Sequence, residues 1–119
     1  MKFDHIVLAA SDLEASLPWY AVVLCAIGFR KTRDHVWLNE AEQAIELRQA
    51  VDAGQGYRRH GVGMNHLAFT AASIEEIEVV ADAVRTAGFE VAEIQSFGAD
   101  RALFLKDRDG MRIEIAAYG

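Results

Sequence analysis

At 119 residues the chain has room for one compact domain and not for a second large one, and 52% hydrophobic with 25% charged residues is the make-up of an ordinary globular protein. The formal net charge of -6 gives its long-range field the wrong sign for a nucleic-acid surface or an anionic membrane, and neither is expected as a partner.

In chain order, hydrophobic alternation predicts a strand at about 2–9 and a helix at about 12–26. Pro18 falls beyond the first helical turn, so either a kink or a start near Ser16 is expected. The same helix carries the only thiol, Cys25, which cannot form an intramolecular disulfide and is read as a packing residue in a reducing compartment. Its apolar run, "YAVVLCAIGF", is too short to cross a bilayer, and "MKFDHIVLAAS" lacks the features of a leader, so a cytoplasmic location is expected. Strands near 28–33, 35–39 and 43–50 complete the first half. The stretch 51–64, "VDAGQGYRRHGVG" and the residue after it, carries four glycines and reads as a flexible connection or a lid. A strand at 65–71 follows, then a helix at 74–87 with Ser73 as its N-cap, then strands near 90–96, 101–106 and 111–117. "DRDG" at 107–110 is a turn.

This order is one unit written twice. "DHIVLAASDLEA" at 4–15 lies over "NHLAFTAASIEE" at 65–76, matching His5 with His66 and Glu14 with Glu75. "IGFRK" and "AGFEV" then place Gly28 and Gly88 at the ends of the two helices, where a left-handed residue is wanted. "AIELRQA" and "RIEIAAY" close the halves with Glu46 and Glu114 between branched aliphatics. The reading is an α+β fold, a single domain over 1–119 made of module 1 (about 1–50), a connection (51–64) and module 2 (about 65–119).

Residues two apart in a strand share a face. His5 therefore goes with Val7 and Ala9, His66 with Ala68 and Thr70, Glu46 with Ala44 and Arg48, and Glu114 with Arg112 and Ala116. The opposite faces carry Ile6, Leu8, Ile45, Leu47, Leu67, Phe69, Ile113 and Ile115, ready to pack beneath a helix. If an approximate two-fold relates the halves, two imidazoles and two carboxylates converge on one cavity, a gathering that is costly without a cation. Nitrogen and oxygen donors of this kind suit one divalent ion: zinc, nickel, cobalt, manganese or iron. His5, Glu46, His66 and Glu114 are the candidate metal ligands.

His35 and His60 are expected to face solvent, and Arg58 and Arg59 to keep the connection soluble or to clamp an anionic ligand. Trp19, Tyr20, Trp37 and Phe104 are read as core or interface packing, with Trp37 a possible wall of the cavity.

The duplicated His-strand and Glu-strand, together with "SDLEASLPWY" and "FLKDRDGMRIEI", resembles the vicinal oxygen chelate superfamily over essentially the whole chain. That superfamily includes glyoxalase I, bleomycin-resistance proteins, fosfomycin-resistance thiol transferases and extradiol dioxygenases. The resemblance implies tandem βαβββ modules forming a curved mixed sheet around a metal-binding cleft. The glyoxalase I pattern of four ligands carries over onto His5, Glu46, His66 and Glu114, whereas dioxygenases and fosfomycin enzymes leave no ligand where Glu46 stands. By that resemblance the protein is a metal-dependent lyase or isomerase of a small molecule with two adjacent oxygens. An enediolate would form against the ion while Glu114 or Glu46, the implied catalytic residues, moves a proton. Ala9 and Ala50 replace the Arg and Asn that hold glutathione in glyoxalase I, pointing away from a strictly glutathione-dependent enzyme. A non-catalytic, drug-sequestering protein like the bleomycin-resistance relatives is the alternative, and an extradiol dioxygenase the third. The family habit of pairing chains implies a homodimer.

Overall fold

The computed structural model describes all 119 residues, which form two compact units, Met1–Gly56 and Tyr57–Gly119. The first contains β1 (His5–Ala10), α1 (Leu13–Ala26), β2 (Arg30–Arg33), β3 (Val36–Leu38) and β4 (Ala44–Gln49), followed by a short 3-10 turn at Ala53–Gln55. The second contains β5 (His66–Thr70), α2 (Ile74–Thr86), β6 (Gln95–Phe97), β7 (Asp100–Lys106) and β8 (Arg112–Ala117). The strand orders are β1-β4-β3-β2 and β5-β8-β7-β6. In each sheet the first and last strands of the module pair in parallel and the other pairings are antiparallel. The expected α+β architecture of two tandem βαβββ modules is the observed one, each module with its own mixed sheet.

The helices start on side-chain caps. Asp12 accepts a bond from the Ala15 amide at 3.1 Å, and Gln49 at the end of β4 grips the same turn, its Oε1 accepting from the Leu13 amide and its Nε2 donating to the Ser11 carbonyl. With these amides satisfied the helix begins at Leu13, so a start near Ser16 is excluded. Pro18 lies inside the helix and gives up only the bond its nitrogen would have made to the Glu14 carbonyl. At α2, Ser73 Oγ accepts from the Glu76 amide at 3.2 Å, and Glu76 Oε2 reaches back to the Ala72 amide at 2.5 Å, a reciprocal cap displaced by one residue.

Both helices end alike. Gly28 (φ 94°) donates to Cys25 and Phe29 donates to Leu24; Gly88 (φ 92°) donates to Arg85 and Phe89 to Val84. These are two copies of the Schellman ending, in which a left-handed residue turns the chain and the last carbonyls find donors.

Trp19, Tyr20, Val23 and Leu24 of α1 are buried with Phe29, Trp37, Ile45 and Leu47, and α1 packs on β1, β2 and β4. In the second unit Ile77, Val80, Ala81 and Val84 of α2 are buried with Leu103, Leu105, Ile113 and Ile115, and α2 packs on β7 and β8. Trp37 pairs in register with Ile45, on the helix-covered side of the sheet, so it belongs to the core and does not share the face of Glu46.

Three local expectations are corrected. Cys25 is exposed instead of packed, because the helix buries the face carrying Tyr20, Val23 and Leu24. The strand expected at 90–96 forms only over Gln95–Phe97: it is an edge strand with a single partner, and the two-residue turn at Gly98 and Ala99 starts its pairing at Phe97 opposite Asp100. His35 is half-buried at the turn between β2 and β3, with φ 63° and its Nδ1 buried and without a hydrogen-bond partner. The other strand limits differ from expectation by a few residues.

Candidate functional site

The parallel pairing in each module fixes where its histidine and glutamate stand. Val7, two residues after His5, is the register partner of Glu46, and Ala68, two residues after His66, is the register partner of Glu114. Each sheet therefore sets its imidazole and its carboxylate as diagonal neighbours on one face. Alternating burial confirms which face: Ile6 and Leu67 are less exposed than the histidines that precede them, Ile45 and Ile113 less exposed than the glutamates that follow them, and all four lie on the helix side.

In the second unit the two side chains meet. His66 Nε2 lies 2.8 Å from Glu114 Oε2, and the carboxylate is the more enclosed partner, with 17% of its side chain exposed against 36% for the ring. Phe104, the register partner of Glu114, stands edge-on to the imidazole with ring centroids 6.0 Å apart. Sequence reasoning placed Phe104 among general packing residues; its register opposite Glu114 is the signal that puts it on this face.

Behind the ring, His66 Nδ1 is 2.8 Å from Asn65 Oδ1. The orientation of that amide is fixed independently, since Asn65 Nδ2 donates to the Arg59 carbonyl at 2.8 Å. Oxygen can only accept, so Nδ1 carries the hydrogen. In that tautomer Nε2 presents a lone pair to the carboxylate oxygen, and two lone pairs at this separation require a positive charge, a proton or a metal ion, between them.

The first unit has the same layout with different partners. His5 Nδ1 lies 2.6 Å from Asp4 Oδ2, both groups largely exposed. Glu46 Oε1 accepts from Arg48 Nε at 2.8 Å, and this bond, with the charges of Arg48, Arg33 and His5, holds the Glu46 carboxyl below its ordinary 4.5 despite some desolvation. Arg33 pairs with Val36, itself the register partner of Glu46, so the carboxylate stands in a basic corner of the sheet.

Within either unit, no three His, Cys, Asp or Glu side chains gather as ligands of one ion. What each unit offers is a nitrogen and an oxygen on one face. The donor set fits a divalent ion of borderline hardness: ligand atoms sharing such an ion lie roughly 3 Å apart, the scale of the His66–Glu114 separation. His60, Arg58 and Arg59 lie in the connection, where none of the three side chains bonds to these four residues; the Arg59 carbonyl and the Tyr57 hydroxyl, through Asn65, link the connection to the site. No helix is long and apolar enough to cross a membrane.

The family model of the Glyoxalase/Bleomycin resistance protein/Dioxygenase superfamily matches residues 2–115, and the chain belongs to that superfamily. Among curated proteins it is similar to biphenyl-2,3-diol 1,2-dioxygenase 2 of Rhodococcus globerulus, 28% identical over 125 aligned positions that take in 96% of this chain and 61% of the relative. The chain thus spans about three fifths of that relative's length. Among solved structures it resembles a glyoxylase/bleomycin resistance protein/dioxygenase domain from Frankia sp. EAN1pec (TM-score 0.77, 20% identity, 100% of this chain and 93% of the other). It also resembles lactoylglutathione lyase from Agrobacterium tumefaciens (TM-score 0.66, 18% identity, 98% and 92%). At these identities the structural likenesses speak for the fold.

Proposed function

We propose that the protein is a divalent-metal-dependent lyase or isomerase of the glyoxalase type, acting on a small molecule with two neighbouring oxygens and not on the glutathione adduct of a strict glyoxalase I. The observation that carries this reading is the approach of His66 Nε2 to Glu114 Oε2 at 2.8 Å with Nδ1 already engaged by Asn65, which leaves two electron-pair donors facing a shared place for a cation. The repeat supplies a second such pair in His5 and Glu46, and these four residues would hold the ion. A bound ion supplies Lewis acidity toward adjacent substrate oxygens and makes the neighbouring C–H easier to ionise.

The chain's own groups then divide the work. Arg48 keeps Glu46 ionised and occupies only Oε1, so Glu46 Oε2 is the oxygen that would hold the ion or, released from it, take a carbon-bound proton. Glu114 is the other carboxylate able to return it, and Phe104 stands edge-on against the His66 ring. A cytoplasmic homodimer that binds a small molecule, and neither nucleic acid nor membrane, completes the reading.

The test is metal content and turnover together. Chelated protein reloaded with zinc, nickel, cobalt, manganese or ferrous ion should bind one equivalent and gain thermal stability, and His66→Ala or Glu114→Ala should abolish uptake. Conversion of a dicarbonyl or related vicinal-oxygen substrate without oxygen consumption supports the lyase. A purified protein that takes up no divalent ion sinks it, and ligand affinity unaffected by chelation, without turnover, would point to a sequestering protein.

A second reading, an extradiol dioxygenase, is favoured by the bond between Arg48 and Glu46. If that carboxylate stays with its arginine, His5, His66 and Glu114 would be left to supply the two-His, one-carboxylate set suited to ferrous iron. The relative named a biphenyl-2,3-diol 1,2-dioxygenase agrees with it. Iron-dependent oxygen uptake with a catechol, unchanged in Glu46→Gln, would establish this reading in place of the first.

A further inference from the structure

Each histidine of the repeat is preceded by a residue whose side-chain oxygen touches its Nδ1: Asp4 before His5 and Asn65 before His66. We propose that Asn65 is a positioning residue that locks His66 in the Nδ1–H tautomer, that the segment Tyr57–Asn65 is the brace that holds Asn65, and that Asp4 does the same, more loosely, for His5. The inference rests on the metal-centre reading for its purpose but not for its geometry.

The brace is built from four contacts within nine residues of chain. Asn65 Nδ2 donates to the Arg59 carbonyl at 2.8 Å, which leaves Oδ1 turned toward the ring. The Tyr57 hydroxyl reaches the carbonyl oxygens of both Met64 and Asn65, pinning the backbone just before the histidine. Within the same stretch Gly61 donates to the Arg58 carbonyl at 3.2 Å, closing the turn from which Arg59 presents its own. A segment whose glycines suggest a loose connection thus has a fixed job at its end.

An imidazole free in water favours hydrogen on Nε2, the atom that would have to bind an ion here. Holding the hydrogen on Nδ1 removes the cost of switching tautomer at the moment of binding, and fixes the plane of the ring. The two modules differ in strength of hold. Asp4 is a carboxylate with 79% of its side chain in solvent and no second hydrogen bond, whereas Asn65 is tied on its other atom, so loss of Asn65 should matter more.

The experiment reads the ring nitrogens directly. Long-range proton–nitrogen NMR of metal-free, 15N-labelled protein should show His66 with a protonated Nδ1, whether the proton facing Glu114 lies on Nε2 or on the carboxyl, and in Asn65→Ala the Nδ1–H should be lost. Zinc affinity measured by calorimetry should fall about 10- to 100-fold in Asn65→Ala. Asn65→Asp, which keeps an acceptor in place, should restore the Nδ1–H signature, and Asp4→Ala should shift His5 by less. An unprotonated Nδ1 on His66 in the parent protein overturns the proposal without need of any variant, and so does an Asn65→Ala protein with unaltered tautomer. Should the parent bind no zinc while Nδ1–H is observed and lost in Asn65→Ala, the positioning stands and the metal-centre reading is what fails.

Discussion

Arg48 Nε donates to Glu46 Oε1 at 2.8 Å, whereas Glu114, the counterpart of Glu46 in the second module, faces His66 instead. The duplicated carboxylates have therefore parted company: one is neutralised by an arginine on its own strand, the other waits on an imidazole.

The first prediction concerns acid titration of that pair. With its pKa held below 4.5, mainly by the Arg48 hydrogen bond, Glu46 contributes stability that is present above about pH 4.5 and is lost as pH falls through the lowered folded value. In metal-free Arg48→Ala the Glu46 midpoint should climb toward 4.5. Carboxyl 13C NMR against pH reads it, and a midpoint that does not move would show that Arg48 is not the cause.

A second follows from the helix endings. An added Cβ at Gly28 or Gly88 meets nothing within 4 Å, so any cost of alanine there is backbone strain at positive φ and not a clash. Gly28→Ala and Gly88→Ala should each destabilise by about 1–2 kcal/mol. Urea melts of the two variants should agree with each other; a neutral Gly88→Ala would mean the left-handed ending is not maintained.

His35 offers the converse case. A non-glycine residue at φ 63° tolerates glycine or asparagine, but a β-branched side chain is resisted there, so His35→Val should cost about 1–2 kcal/mol while His35→Gly should be near neutral. Thermal unfolding of both variants decides it, equal effects being the adverse result. Losing the buried, unpartnered Nδ1 works in favour of the glycine variant.

For the core, Leu103 is fully buried on β7 beneath α2. Leu103→Ala should destabilise by about 2–5 kcal/mol, with the transition midpoint falling and the denaturant slope unchanged.

Much of this fold was readable because the chain repeats itself. One imidazole at a strand start says little, but the pairing of His5 with His66 and of Glu46 with Glu114 gave both the module and the face, and the registers Val7–Glu46 and Ala68–Glu114 follow that pattern. Less legible was anything decided by who pairs with whom. The alternation at 90–94 reads as strand, yet strand structure requires a partner, and β6 pairs only over three residues. Cys25 and Trp37 looked alike as apolar residues, and only the azimuth of α1 and the register of β3 separate an exposed thiol from a buried indole. The roles of Asn65 and Phe104 depend on atoms meeting in space: an amide's orientation and a ring edge have no periodicity to betray them.

Because β1 lies beside β4, and β5 beside β8, the opening strand of each module has its neighbour at the module's far end. During synthesis His5–Ala10 must wait for Ala44–Gln49 to leave the ribosome before its ladder can form, and His66–Thr70 waits likewise for Arg112–Ala117. A nascent chain stalled between those points would hold a lone apolar strand with unpaired amides, the stage at which chaperone capture or aggregation would compete with maturation.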